Sequence, residues 1–234
     1  DRLDGPVEVY GYETDPDALA EARQRLLRSH PTVELNLQLG SFLDHVLDDF
    51  GGGLFGSSTH YDMIIANPPY VRTQIIGADR ARQLAQQFGL TGRVDLYHAF
   101  LLGMARVLAP DGTAGIIVSN RFMTTKGGAS VRASILTDLR LREVFDLGDT
   151  KLFDAAVLPA VLIARGGEAE TVTPSFCSIY QTKAEPLHTA ADPLAALLHE
   201  GTVAAPDGRV FLVQQGTLDT GGDTSGVWRL ASDG

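Results

Sequence analysis

Apolar positions along this chain fall into two kinds of pattern, short runs of strand length and longer stripes at helical spacing. Val7 to Glu13 predicts a strand that ends in an acid. Asp15 followed by Pro16 opens a helix, and the stripe Ala18, Leu19, Ala22, Leu26 carries it until Pro31 stops it. Val33 to Leu39 predicts a second strand, followed by Gly40 and a short helix from Ser41 to about Asp49. The small-residue stretch Gly51 to His60 looks like a phosphate loop only superficially, because no lysine follows its glycines and a strand comes next. That strand, Met63-Ile64-Ile65-Ala66, reads as buried and leads straight into Asn67-Pro68-Pro69-Tyr70. Asp79 to Phe88 and Asp95 to Leu108 read as helices, the second with Leu96, Phe100, Met104 and Leu108 on one face. Pro110-Asp111-Gly112 predicts a turn and Ala114 to Ser119 a buried strand. A helix from Gly128 to Arg140 leads to the strand Leu141 to Asp146, and a further strand, Val157 to Arg165, follows closely. Strands alternating with helices, then two strands close together, predict an α/β fold with a mainly parallel sheet and an antiparallel edge strand.

Composition narrows the class. With 44% hydrophobic and 21% charged residues, the 234-residue chain can bury the core of one α/β domain plus an appendage. Its one cysteine, Cys177, excludes an internal disulfide framework and a cysteine-built metal cluster, and fits a reducing cytoplasm. No apolar run approaches the roughly 20 residues of a membrane span, and no secretory signal is expected. The histidines are scattered without ligand spacing, so no metal site is expected. The net charge of −10 argues at first sight against nucleic acid, but residues 71–165 carry 12 basic and 8 acidic residues and are the only basic stretch. Arg72, Arg80, Arg82 and Arg93 follow the Asn-Pro-Pro-Tyr loop, opposed by Asp79 alone until Asp95. They are candidate phosphate contacts, and equally a solvated helix face.

A rigid polar loop at the carboxyl end of a strand is where open α/β sheets place ligands. The chemistry that suits this one is alkylation of a planar nitrogen whose lone pair is delocalised, as in an adenine amine or a carboxamide. Two acceptors aimed at its N–H bonds favour the pyramidal, nucleophilic form. Asn67 offers its side-chain oxygen and Pro68 its backbone carbonyl, while the prolines hold the chain extended and remove competing donors. Tyr70 supplies a flat face for the substrate. No strong base is needed, since the proton becomes acidic once the nitrogen is methylated.

The motif Asn67-Pro68-Pro69-Tyr70, with Tyr61-Asp62 before it and Tyr10-Gly11-Tyr12-Glu13-Thr14-Asp15-Pro16 upstream, resembles the class I (Rossmann-like) methyltransferases that use S-adenosylmethionine. The order of features over about residues 5–165 is similar to gamma-class N6-adenine DNA methyltransferases of restriction-modification and phage-defence systems. The resemblance implies that Glu13 binds the cofactor ribose, that Thr14 sits beside its adenine, and that Phe42 contacts the adenine ring. Ser41 stands where the family usually has an acid for the adenine amine, and Asp44 is a candidate to compensate. Asp95-Leu96-Tyr97-His98-Ala99-Phe100 and Ser119-Asn120-Arg121-Phe122 also look like the DNA-modifying branch. Phe153, in Leu152-Phe153-Asp154-Ala155-Ala156-Val157, matches the aromatic that packs on a flipped adenine opposite the tyrosine.

Only six residues precede the Val7 strand, where the family has its first strand and glycine-rich loop. The chain is therefore expected to be a fragment with little activity of its own. Residues 1–165 are expected to form a partial catalytic domain, and 166–234 a linker and lead-in to a target-recognition domain. Double-stranded DNA is the expected partner of the intact protein, with a nuclease domain or subunit a further one and no membrane. Glutamine N5 methylation of a protein, RNA guanine methylation, and an inactive DNA-recognition scaffold remain open beside DNA adenine methylation.

Overall fold

In the computed structural model, residues 6–51, 59–69, 77–88, 96–152, 158–167 and 172–231 are described. Contacts divide the chain into two compact units, residues 1–59 and 60–234.

The first unit is a single β-α-β-α run. Strand β1 (Glu8–Glu13), helix α1 (Pro16–Ser29), strand β2 (Glu34–Leu39) and helix α2 (Phe42–Gly51) follow in order. β1 and β2 pair in parallel, Glu8 opposite Glu34 through Glu13 opposite Leu39. α1 begins as its sequence demands: the Asp15 carboxylate accepts from the Asp17 and Ala18 amides at 2.8 and 3.3 Å, with Pro16 in the first turn where no N–H is needed. Gly11 lets the strands approach, because a Cβ there would lie 2.7 Å from the Leu37 side chain.

The second unit contains strand β3 (Tyr61–Ala66), helices α3 (Ala78–Phe88) and α4 (Leu96–Val107), and strand β4 (Leu108–Ser119). Helices α5 (Arg121–Thr124) and α6 (Ala129–Asp138) follow, joined by a 3-10 turn, and then strands β5 (Arg140–Asp146) and β6 (Pro159–Arg165). The remainder is β7 (Ser175–Thr182), β8 (His188–Thr189), helix α7 (Pro193–Ala196), β9 (Gly201–Ala204), β10 (Val210–Asp219) and β11 (Arg229–Ala231). The described strands form one mixed sheet in the order β3-β4-β6-β5-β7-β10-β9-β8, with β11 added to β10. An antiparallel strand is present as β6, but it corrects the expected edge position: it lies inside the sheet between β4 and β5 and runs against both. Further antiparallel pairings of β10 with β7, β9 and β11 make the sheet mixed rather than mainly parallel. Residues after 175 extend the same sheet beyond β5, beginning with β7 parallel to it.

α4 buries eight of its twelve residues, so more than one face is covered. β4 presents Ala114, Ile116 and Val118, and β6 presents Ala160, Leu162 and Ala164, all fully buried, as the period of two requires. The Pro110-Asp111-Gly112 turn survives as an interruption in β4: pairing jumps from Tyr61–Leu108 to Met63–Thr113. A second core gathers Leu147, Ile179, Phe211 and Val213 with Ala196 of α7.

β3 corrects one expectation. It was read as buried, yet Met63 and Ile65 are 59% and 84% exposed. The strand pairs only with β4 among the described residues, and the face bearing Met63 and Ile65 is uncovered there.

Candidate functional site

Within the first unit the carboxyl ends of the two parallel strands are tied together, the Gly40 amide donating to the Glu13 carbonyl at 2.9 Å. Glu13 and the Ser41–Phe42 step therefore sit side by side. The Glu13 carboxylate turns back on its own loop: Oε1 accepts from the amides of Thr14 at 2.7 Å and Asp15 at 2.9 Å. Among the described residues Oε2 makes no hydrogen bond, and the half-buried side chain holds it as an oriented acceptor. Ser41 Oγ accepts from the Leu43 amide at 3.2 Å at the start of α2, which leaves one lone pair on the hydroxyl. Thr14 is exposed, and Phe42 is half-buried.

Sequence reasoning missed Tyr12. Its ring stacks on His45 with centroids 4.6 Å apart and meets Phe42 at 5.8 Å, so Phe42 is one member of an aromatic cluster. The alternation that puts Glu13 at the strand end also puts Tyr12 on the opposite face, which was the available signal. An acceptor carboxylate, a hydroxyl and aromatic rings at parallel strand ends fit a ribose diol, an exocyclic amine and a purine. The donor set thus suits S-adenosylmethionine.

In the second unit Asn67 and Pro69 are exposed and Pro68 is buried at the end of β3. The burial anchors the loop, and Pro68, with no N–H to satisfy, enters the protein without an orphaned donor. Tyr70, Arg72, Arg93 and Phe153 lie outside the described residues. Arg80 donates to Gln83 at 2.7 Å, and Arg82 pairs with Asp79 at 2.6 Å. Both are local contacts along α3, and the Arg82 and Asp79 side chains are well exposed, where an ion pair contributes under about 1 kcal/mol.

The sheet aligns further polar groups with the end of β3. β3 is parallel to β4, Ala66 opposite Ile116, and Ser119 lies opposite Pro159 at the start of β6. Asp146 ends β5 opposite Ala160 and, on its other side, Ser178 of β7. One edge of the sheet thus carries Asn67, Asn120, Asp146 and Tyr180. Asn120 Nδ2 donates to Asp146 Oδ1 at 2.9 Å, and the Tyr180 hydroxyl donates to Oδ2 at 2.7 Å. Burial, then the bond to Asp146, pushes the Tyr180 phenol well above its ordinary range. An acid ending a strand was the same signal that marked Glu13, and it could have found Asp146; nothing local marks Tyr180.

Two other groups resolve as structural. His98 is buried with its Nε2 3.1 Å from Ser134 Oγ, a satisfied core histidine. Cys177 is buried and its thiol is pushed up to about 11 by burial, which keeps it protonated and inert at neutral pH.

Residues 8–153 match the family model described as Eco57I restriction-modification methylase. The type II methyltransferase M.BanIII of Aneurinibacillus aneurinilyticus is 36% identical over 241 residues, covering 97% of this chain and 41% of its own length. The chain thus spans about two fifths of that relative. A tRNA1(Val) (adenine(37)-N6)-methyltransferase of Tolumonas auensis is 32% identical over 113 residues, covering 48% of this chain and 41% of that protein. Among solved structures, a Listeria monocytogenes protein described as a class I S-adenosylmethionine-dependent methyltransferase superposes with a TM-score of 0.54 at 19% identity, covering 73% of this chain and 48% of the other. The fold is that of the class I methyltransferases.

Proposed function

The chain belongs to the Eco57I restriction-modification methylase family, and from that premise we propose that it is part of an S-adenosylmethionine-dependent DNA methyltransferase acting on the N6 amine of a flipped adenine. The observation that carries the reading is the end of β3, where a buried Pro68 holds an exposed Asn67 at the carboxyl edge of the sheet. An Asn67 oxygen and the Pro68 carbonyl together accept both hydrogens of one amino group, orienting its lone pair away from the ring plane. Tyr70 stacks on the extruded base from one side and Phe153 from the other, replacing the stacking lost in the duplex. The methyl donor is supplied by the bound cofactor. Glu13 would hold the ribose diol, Ser41 would accept from the adenine amine, and Thr14, Phe42 and Tyr12 would lie beside that ring. After transfer the protonated amine is acidic enough to lose its proton to solvent through the polar loop, so these residues bind and orient rather than abstract.

Adenine, rather than a protein carboxamide, is favoured by the names of the relatives: one is a type II methyltransferase and one is an adenine-N6 methyltransferase. Double-stranded DNA, rather than RNA, is favoured by the extent of the M.BanIII match, which covers 97% of this chain against 48% for the tRNA enzyme. The Asn-Pro-Pro-Tyr loop supports placement in the gamma class. Residues 1–165 supply the catalytic part and residues 166–234 lead toward target recognition. Arg72, Arg80, Arg82 and Arg93 are phosphate contacts beside the loop. The test is incubation of the full-length protein with labelled S-adenosylmethionine and, separately, unmethylated duplex DNA, tRNA and glutamine-containing protein, followed by nucleoside analysis. Label in N6-methyladenine from DNA is the expected result; label confined to tRNA or protein reassigns the substrate.

A further inference from the structure

The carboxyl edge of the second unit carries cations that the catalytic reading does not use. Arg121 opens α5 two residues beyond β4, Lys126 lies in the 3-10 turn after it, and Lys151 follows β5; all three are exposed. Residues 119–129 contain both of the first two and no acid. Two of the acids near Lys151 in the chain, Asp146 and Asp149, are engaged by hydrogen-bond donors. Asp146 is held by Asn120, Tyr180 and the Gly148 amide, and Asp149 Oδ1 accepts from the Gln181 amide at 2.7 Å. Their charge is shared with four donors, while the three cations are exposed. Beyond β7 the pattern ends: Asp207 pairs with Arg209 at 2.7 Å, and Glu185 is exposed beside Lys183.

Lys151 is placed deliberately. Among the described residues it is the only non-glycine with positive φ, at 53°. Such a conformation costs a residue with a Cβ free energy and persists where the surroundings impose it. Here they do: the Leu147 amide donates to Pro159, the Thr150 amide donates to Leu147, and Arg209 Nη1 donates to the Thr150 carbonyl. The turn is held by its own Thr150–Leu147 bond and from outside by Pro159 and Arg209, and it leads into Lys151 at the carboxyl edge of the sheet.

We infer that Arg121, Lys126 and Lys151 form a phosphate-binding surface that seats the DNA backbone beside the Asn67 loop. The inference rests on the DNA-methylation reading above. The opposite edge of the sheet provides the contrast. Arg142 and Arg165 there lie among Asp111, Asp138 and Glu143, and serve as equally cationic positions outside the surface.

The experiment is binding of fluorescent duplex DNA by the full-length protein across a salt series. Each lost phosphate contact lowers the slope of log affinity against log salt by about 0.9. The triple variant Arg121→Gln, Lys126→Gln, Lys151→Gln is expected to lower it by roughly 2 to 3, whereas Arg142→Gln with Arg165→Gln leaves it unchanged. Charge-preserving Arg121→Lys with Lys126→Arg is expected to keep the wild-type slope, which separates charge from folding. An unchanged slope in the triple variant, with a wild type that methylates DNA, overturns this inference alone. An equal fall in the opposite-edge pair overturns it too. A wild type that neither binds nor methylates DNA overturns the methylation reading and this one with it.

Discussion

The Tyr180 hydroxyl donates to Asp146 Oδ2 at 2.7 Å, joining β7 to the end of β5 across 34 residues of sequence. The same carboxylate receives Asn120 from the end of β4, so three strands are fastened at the edge that carries Asn67. Tyr180→Phe removes one hydrogen bond to a charged acceptor in a site that is 38% exposed, and is expected to cost about 1–2 kcal/mol. The phenol is raised above its unfolded value, so its contribution is fully present below about pH 10 and is lost as pH climbs through the folded value. Urea unfolding of both proteins should therefore give a stability gap that is constant from pH 7 to 9 and narrows above about pH 10.

Lys151→Gly should raise stability. Relief of a left-handed lysine outweighs the added chain entropy by about 0.5–1 kcal/mol. The same variant should bind duplex DNA more weakly than wild type, giving a gain in thermal midpoint with a loss in affinity.

Arg132 is buried and donates to the carbonyls of Phe122, Thr125 and Ser225. It clasps the segment around Ser225 to the start of α5, and Trp228 packs edge-on against Phe122 at 5.2 Å. Arg132→Met leaves three carbonyls without this donor and is expected to cost about 2–4 kcal/mol, read by denaturant unfolding. Limited proteolysis should then cut first near residues 220–227.

Glu13 and Ser41 make opposite predictions for cofactor affinity. Under the proposed reading, Glu13→Ala removes the acceptor of the ribose diol and should raise the S-adenosylmethionine Kd of the full-length protein by roughly 10- to 100-fold. Under the same reading, Ser41→Asp adds charge assistance at the adenine amine and should lower it by about three- to tenfold. Calorimetric titration reads both.

Local rules made much of this molecule readable. Asp15-Pro16 marks the start of α1 because capping depends on adjacent residues alone, and the Glu8–Glu13 and Glu34–Leu39 strands follow from their alternation. The exposure of Met63 and Ile65 did not follow, since an apolar run of strand length looks the same at an edge as in a sheet's interior. The strands after residue 175 were harder still. β10 pairs with β7 through Gln214 opposite Ser178 and Gln215 opposite Cys177, a long-range antiparallel match in which polar residues interrupt the pattern. Asn67 was legible as chemistry because its neighbours are prolines. Tyr180 was not, because its partners lie 34 and 60 residues away.

The central claim is that Asn67 orients a target amine for methylation. Single-turnover transfer of labelled methyl from S-adenosylmethionine to unmethylated duplex DNA, by full-length wild type and Asn67→Ala with the cofactor saturating, tests it most directly. The account predicts N6-methyladenine from wild type and a rate at least about 100-fold lower in the variant, with cofactor affinity unchanged. An Asn67→Ala protein that methylates DNA at the wild-type rate would contradict it.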